Sequence, residues 1–223
     1  MSSALPPNRF LEIEQALNKR WPENKIEPSL DRIIALLDAL GSPQLSYPTI
    51  HLAGTNGKTT TARMIDQLLT ELGYRVGRYT SPHLESFTER ISIKGAPISD
   101  EMMIKTYDDI ALYLDLIDSR QPIPISFFEG ITAMAFVAFA EYPVDVGVIE
   151  AGMGGQWDAT NVLASLVSVM TPIGFDHMEY LGNTLTEIAQ TKAGIFKPES
   201  NVVLAAQSLS LIHISEPTRQ AEI

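Results

Sequence analysis

The sequence contains no cysteine. Disulfides, thiolate metal sites and a cysteine nucleophile are therefore excluded. Basic residues are scarce: 16 Lys and Arg stand against 27 Asp and Glu, for a formal charge of −11. Such a chain repels phosphate backbones and anionic lipid, which argues against nucleic-acid and membrane partners. Long apolar runs are missing as well. The longest, Ile131 to Ala140, falls far short of the ~20 residues that span a bilayer and reads as a buried helix. The N-terminus, MSSALPPNRF, has no apolar signal-peptide core, so the expected location is the cytoplasm. What remains is ordinary globular composition, 45% apolar over 223 residues, enough to bury the core of one large domain.

Two helices open the chain. Phe10, Ile13, Leu17 and Trp21 recur at helical spacing, as do Leu30, Ile33, Ile34, Leu37 and Leu40, with Ser29 as N-cap and Gly41 just past the end. From there strands and helices alternate. Thr49–Ala53 reads as a buried strand, residues 58–72 as a helix, and Arg75–Tyr79 as a second strand. A hairpin is expected around Lys94-Gly95, then a helix from Ser99 through Asp118. Ser126/Glu129 and Thr184/Glu187 are capping boxes opening two further helices. Val144–Ile149, Leu166–Ile173 and Val202–Ala205 supply the remaining strands. This order predicts an α/β fold, a mostly parallel sheet flanked by helices. Residues 1–207 are expected to form one domain with an N-terminal helical segment over 8–41, and Ser208–Ile223 reads as a non-native tail outside it.

The strand over 49–53 runs into Gly54-Thr55-Asn56-Gly57-Lys58-Thr59-Thr60, and a helix follows. Glycines let backbone N–H groups turn toward an anion, and the helix N-terminus adds partial positive charge. Lys58 offers a point charge for the β- and γ-phosphates, and the Thr59 or Thr60 hydroxyl can reach Mg²⁺. The general P-loop would place a glycine where Leu52 stands; here the first glycine is Gly54. A strand–helix turn with an incidental lysine is the competing reading. Glu150 closes a predicted strand, where α/β folds place ligand-contacting groups, and is a hard oxygen ligand suited to Mg²⁺. Lys192 shares a helix side with Ile188 and Ile195, which predicts partial burial and a lowered pKa, against the alternative of a snorkelling surface lysine.

The Gly-Thr-Asn-Gly-Lys form resembles the ATP-dependent Mur ligase superfamily. Three further strings carry the resemblance: Thr80-Ser81-Pro82-His83-Leu84; Glu150-Ala151-Gly152-Met153-Gly154-Gly155-Gln156-Trp157-Asp158-Ala159-Thr160-Asn161; and Phe175-Asp176-His177 running on to Lys192-Ala193-Gly194. Together they resemble the bacterial dihydrofolate synthase/folylpolyglutamate synthase branch, from Phe10 to Gln207. Two positions depart from it. Thr59-Thr60 stands where the branch has Gly-Ser, which keeps a hydroxyl for Mg²⁺, and Gln156-Trp157 stands where it has Arg-Leu, which removes a cation beside the substrate.

The resemblance implies an ATP-dependent ligase that joins L-glutamate to dihydropteroate or a folyl-glutamate through an acyl phosphate. It implies Lys58, Glu150, His177 and Lys192 as catalytic residues, with ATP held by Gly54 through Thr60. Thr59, Ser81 and Glu150 would hold one Mg²⁺ and His177 would help hold a second; Lys192 would carry a CO₂-derived carbamate. Phe128, Asp158 and Ala159 would face the pterin, although Phe127 and Phe128 could both be plain core residues. By the same resemblance the full-length form is a monomer, and the glutamate-ligase domain of the family is absent here, so weak ATP·Mg²⁺ binding without ligation is expected. A cell-wall Mur-type ligase and a non-catalytic ATP-binding module stay open as alternatives.

Overall fold

The computed structural model describes residues 8–22 and 27–207; the segment 208–223 lies outside the described residues. Helices α1 (Arg9–Asn18) and α2 (Asp31–Ala39) form the N-terminal pair. Trp21 lies beyond α1, where its carbonyl accepts from Phe127 N–H at 2.9 Å. Ser29 does not occupy the N-cap of α2, which is Leu30, yet its Oγ accepts from Asp31 N–H at 3.0 Å.

Seven strands follow: β1 (Thr49–Ala53), β2 (Val76–Tyr79), β3 (Ile91–Ile93), β4 (Ala96–Pro97), β5 (Val146–Glu150), β6 (Val167–Met170) and β7 (Asn201–Leu204). They lie in the order β4-β3-β2-β5-β1-β6-β7. The five strands from β2 to β7 in that order are parallel, and the β3–β4 hairpin is antiparallel on the edge. Helices α3 (Lys58–Glu71), α4 (Asp100–Asp118), α5 (Phe127–Glu141), α6 (Met178–Leu181) and α7 (Leu185–Ala193) make the connections.

Burial follows strand alternation. Leu52, Val76 and Val148 pack with Ala62 of α3 on one face. On the other, a larger core joins Ile13 and Leu17, Leu36 and Leu37, Ile110 and Leu114, and Phe136 and Phe139. The Ile131–Ala140 run lies in α5, which is apolar almost all round because α1, α2, α4 and the sheet enclose it. The Ser99 cap and both expected capping boxes are present. No helix among the described residues is long and apolar enough to cross a membrane.

Strand β6 ends at Met170, short of the expected Ile173, because Thr171–Gly174 is recruited to another task. The Pro172 carbonyl accepts from Thr55 N–H (3.0 Å) and Asn56 N–H (3.1 Å), and the Gly174 carbonyl accepts from Thr55 Oγ1 (3.1 Å). Since β1, β2, β5 and β6 are parallel, Gly54, Thr80-Ser81, Glu150 and Thr171 all emerge on one edge of the sheet. That edge is where ligands bind in open α/β sheets.

Candidate active site

The loop after β1 is shaped by two glycines. Gly54 has φ +144°, and a Cβ there would lie 2.0 Å from Thr171 Oγ1. Gly57 caps α3 at φ +81°, in the left-handed region. The Thr61 N–H closes a helical bond on the Gly57 carbonyl at 2.8 Å. The N–H groups of Lys58, Thr59 and Thr60 lie in the first turn, where an α-helix has no partners for them. The N–H groups open to an anion therefore lie at the α3 N-terminus. Thr55 and Asn56 turn their N–H groups onto the Pro172 carbonyl and buttress the loop.

Two ammonium groups converge on one carbonyl. Lys58 Nζ donates to Gly54 O at 3.1 Å, and Lys192 Nζ, reaching in from α7, donates to the same oxygen at 2.9 Å. Lys192 is 2% exposed. Burial, with the Lys58 charge adding to it, pushes its pKa down to about 8. Two cations around one neutral carbonyl are a receptor for an anion.

Glu150, at the end of β5, is 1% exposed. Thr59 Oγ1 lies 2.9 and 3.1 Å from its two carboxylate oxygens. Desolvation raises the Glu150 pKa, opposed by the Thr59 hydroxyl, the Lys58 charge and the Ser81 N–H. A buried carboxylate beside a hydroxyl suits Mg²⁺, which takes one or two carboxylates and keeps waters and phosphate oxygens for the rest. No cluster of three His, Asp or Glu side chains suited to a metal occurs among the described residues. His177 is left-handed (φ 46°) and half-exposed at the start of α6, 3.5 Å from the Asp176 carboxylate. It forms no contact with Glu150 among those described.

Beside this site opens a cleft of about 660 Å³ whose walls include Ser81, Phe128, Asp158, Ala159 and His177. Phe127 and Phe128 part company, being successive residues on a helix. Phe127 is buried beneath the Arg90 guanidinium, 5.0 Å from its ring centroid, while Phe128 faces the cleft and closes over Gly152. Asp158 is held from behind, accepting from Thr160 N–H (2.9 Å) and Thr160 Oγ1 (2.5 Å) on one oxygen and from Met153 N–H (2.8 Å) on the other. Burial raises its pKa against those bonds. Trp157 is 46% exposed at the cleft wall. Ser81 thus belongs to both places: its side lines the cleft, and its N–H reaches the Glu150 carboxylate.

Several residues of this region carry no motif. Arg32 of α2 lines the cleft and reaches Glu129 with Nε 3.0 Å from Oε1, so Glu129 serves an ion pair as well as its capping box. Arg78 joins Asp66 (2.8 Å), Thr80 (3.2 Å) and Ser92 (2.9 Å) behind the Ser81 turn. A charged residue one step from Ile33, on the stripe that also carries Leu36, was the available signal for Arg32.

Residues 52–214 match the Mur ligase middle domain family. The chain belongs to the Mur ligase family. Within it, the curated relatives include the dihydrofolate synthase/folylpolyglutamate synthase of Mycobacterium tuberculosis, 56% identical over 193 residues, covering 83% of this chain and 40% of the relative. That of Bacillus subtilis is 43% identical over 181 residues, covering 81% and 42%. Among solved structures, Mycobacterium tuberculosis folylpolyglutamate synthase complexed with ADP superposes with a TM-score of 0.86 at 51% identity, covering 93% of this chain and 47% of that one. An FPGS–AMPPCP–folate complex superposes at 0.87 with 37% identity, covering 92% and 50%. The chain thus spans about 40% of the length of these curated relatives and about half of the solved chains.

Proposed function

We propose that this Mur ligase domain is the ATP-binding part of a cytoplasmic ligase that adds L-glutamate to dihydropteroate or to a folyl-glutamate. The observation that carries the reading is the shared wall: Ser81 lines the 660 Å³ cleft and bonds Glu150, which Thr59 of the phosphate-type loop also bonds, so a carboxylate held in the cleft would face the phosphate end. Phe128 offers an aromatic face to a pterin, Ala159 a backbone edge, and Asp158 a pre-oriented acceptor. The relatives' names and the ADP, AMPPCP and folate complexes support the same substrates.

The chemistry follows from charge. The α3 N-terminus and Lys58 would hold the β- and γ-phosphates. Glu150, Thr59 and Ser81 would hold Mg²⁺, with His177 toward a second ion; bound metal neutralises phosphate charge. The substrate carboxylate oxygen attacks the γ-phosphorus of ATP and ADP leaves, giving an acyl phosphate. The glutamate amine then attacks the acyl carbon, phosphate leaves with the electron pair, and the amine loses a proton. The protein contributes positioning and electrostatics to both steps. Lys192, a buried amine with a lowered pKa, is poised to take up CO₂ as a carbamate, which would place an anion beside Lys58.

Calorimetric titration tests the nucleotide half. Lys58→Ala should weaken ADP binding at least about tenfold, 1.4 kcal/mol, with the circular dichroism spectrum unchanged. Undiminished affinity would overturn the loop assignment. Glutamate incorporation into dihydropteroate, assayed on the protein as its cell makes it, tests the rest. Acceptance of a cell-wall peptide precursor instead would move the chain to the other branch of the family.

A further inference from the structure

His51 is the one histidine on the sheet among the described residues, and the mechanism above makes no use of it. It lies on β1 next to Leu52, so its side chain takes the face opposite α3. It is fully buried. Its Nε2 lies 2.8 Å from Thr160 Oγ1, and its Nδ1 is buried with no hydrogen-bond partner. Thr160 sits in the short helical turn at 159–162 that Asp158 caps.

Counting protons fixes the arrangement. The Thr160 hydroxyl has one hydrogen and two polar neighbours, Asp158 Oδ1 at 2.5 Å and His51 Nε2 at 2.8 Å. An ionised carboxylate can only accept, so the Thr160 hydrogen goes to Asp158. The contact with His51 then requires a hydrogen on Nε2, donated to the Thr160 oxygen. That places the neutral ring in the Nε2–H form and leaves Nδ1 a bare acceptor, which is the atom found without a partner. A second ring proton would create a buried, unsatisfied N–H. Burial, reinforced by the Lys197 charge, holds the ring's pKa at about 3.

We propose that His51 is a positioning residue for the substrate cleft: through Thr160 it locks the Asp158 carboxylate in the orientation that faces a pteridine. The chain His51–Thr160–Asp158 runs from the sheet to the cleft wall. Without the His51 donor, the Thr160 hydroxyl can turn to the Asp158 carboxylate or away from it, and the wall from Met153 to Ala159 loses one of its ties. This rests on the proposed pterin role of the cleft. It differs from a plain packing role, because a buried ring with an orphan nitrogen is costly to packing and an apolar residue would serve better.

Two measurements decide it. In ¹⁵N NMR of the unliganded chain, the His51 ring should stay neutral in the Nε2–H form from pH 8 to pH 5; the Nδ1–H form or an imidazolium overturns the relay. Titrations with dihydropteroate or folate, and separately with ADP, then compare His51→Leu and His51→Gln with the wild type. His51→Leu should keep or raise the Tm, leave ADP affinity within about twofold, and weaken pteridine binding about three- to tenfold, the scale of one hydrogen bond. His51→Gln, whose amide can donate to Thr160, should restore most of it. A His51→Leu chain that binds pteridine as the wild type does, or that loses stability and ADP affinity together, overturns the proposal. A wild-type chain that binds ADP but neither pteridine overturns instead the assignment of the cleft.

Discussion

Lys192 and Glu150 are charges of opposite sign buried on one side of the same loop, and each is held against its ionisation. For Lys192 the folded value of about 8 lies below the ordinary 10.5. The protonated form is the costly one, so the cost is complete below pH 8 and disappears as the pH climbs toward 10.5. Lys192→Met should therefore raise the Tm in CO₂-free buffer by about 2–4 °C at pH 6.5, what 1 kcal/mol does in a chain of this size, and by less at pH 9.5. The same variant should lack the carbamate resonance that ¹³C-labelled CO₂ gives the parent; a carbamate surviving in it would place the modification elsewhere. Glu150 has the opposite sign and the same logic. Its pKa is raised by desolvation, so the ionised carboxylate costs stability above the ordinary carboxylate range and nothing below it. Glu150→Gln should raise the metal-free Tm at pH 7, with the gap closing near pH 4, while abolishing the gain in ADP affinity that Mg²⁺ brings. Mg²⁺ enhancement retained in the variant would move the metal away from Glu150.

Among the elements, α2 and α5 are joined by a buried ion pair in addition to apolar packing. The Arg32 and Glu129 side chains are 11% and 5% exposed, and the Glu129 carboxylate also takes the Ser126 N–H at 2.8 Å. Removing one partner strands the other charge in the interior, which costs about 3–5 kcal/mol. Arg32→Met should lower the urea midpoint accordingly. Arg32→Met/Glu129→Gln should recover more than half of the loss, because the amide still serves the capping box and no charge is left unpaired. Equal losses in both would show that the pair acts through packing alone. The helix starts at Ser99, Ser126 and Thr184 were legible in the sequence because a cap is a local motif, complete within four residues. The second duty of Glu129 was not, because its partner lies 97 positions away.

On the scale of the whole molecule, the chain carries a charge of −11 although its proposed site attracts phosphate. Self-repulsion of like charges opposes the compact state and is screened over about 10 Å at 0.1 M salt. Raising NaCl from 10 to 150 mM should therefore raise the Tm by about 1–3 °C in a fluorimetric melt. A fall would mean that surface pairs such as Lys105–Asp109 outweigh the repulsion.

The sequence by itself determined the alternating elements, the glycine-shaped loop that follows β1, and the placing of Lys58 at a helix start and Glu150 at a strand end. Those are properties of local spacing: hydrophobic periodicity, turn glycines and caps act within a few residues of chain. It also predicted partial burial of Lys192 from its spacing to Ile188, which shares its side of α7; Ile195, the other residue of that pattern, is buried but lies past the helix end at Ala193. Only the tertiary structure decided that Lys58 and Lys192 share the Gly54 carbonyl, that Thr55 and Asn56 lean on Pro172, that Phe128 and not Phe127 faces the cleft, and that His51 stands behind Asp158. Each of these depends on which strands become neighbours. The sheet order sets β1 between β5 and β6, strands separated from it by roughly a hundred residues of chain, and no local pattern encodes that adjacency.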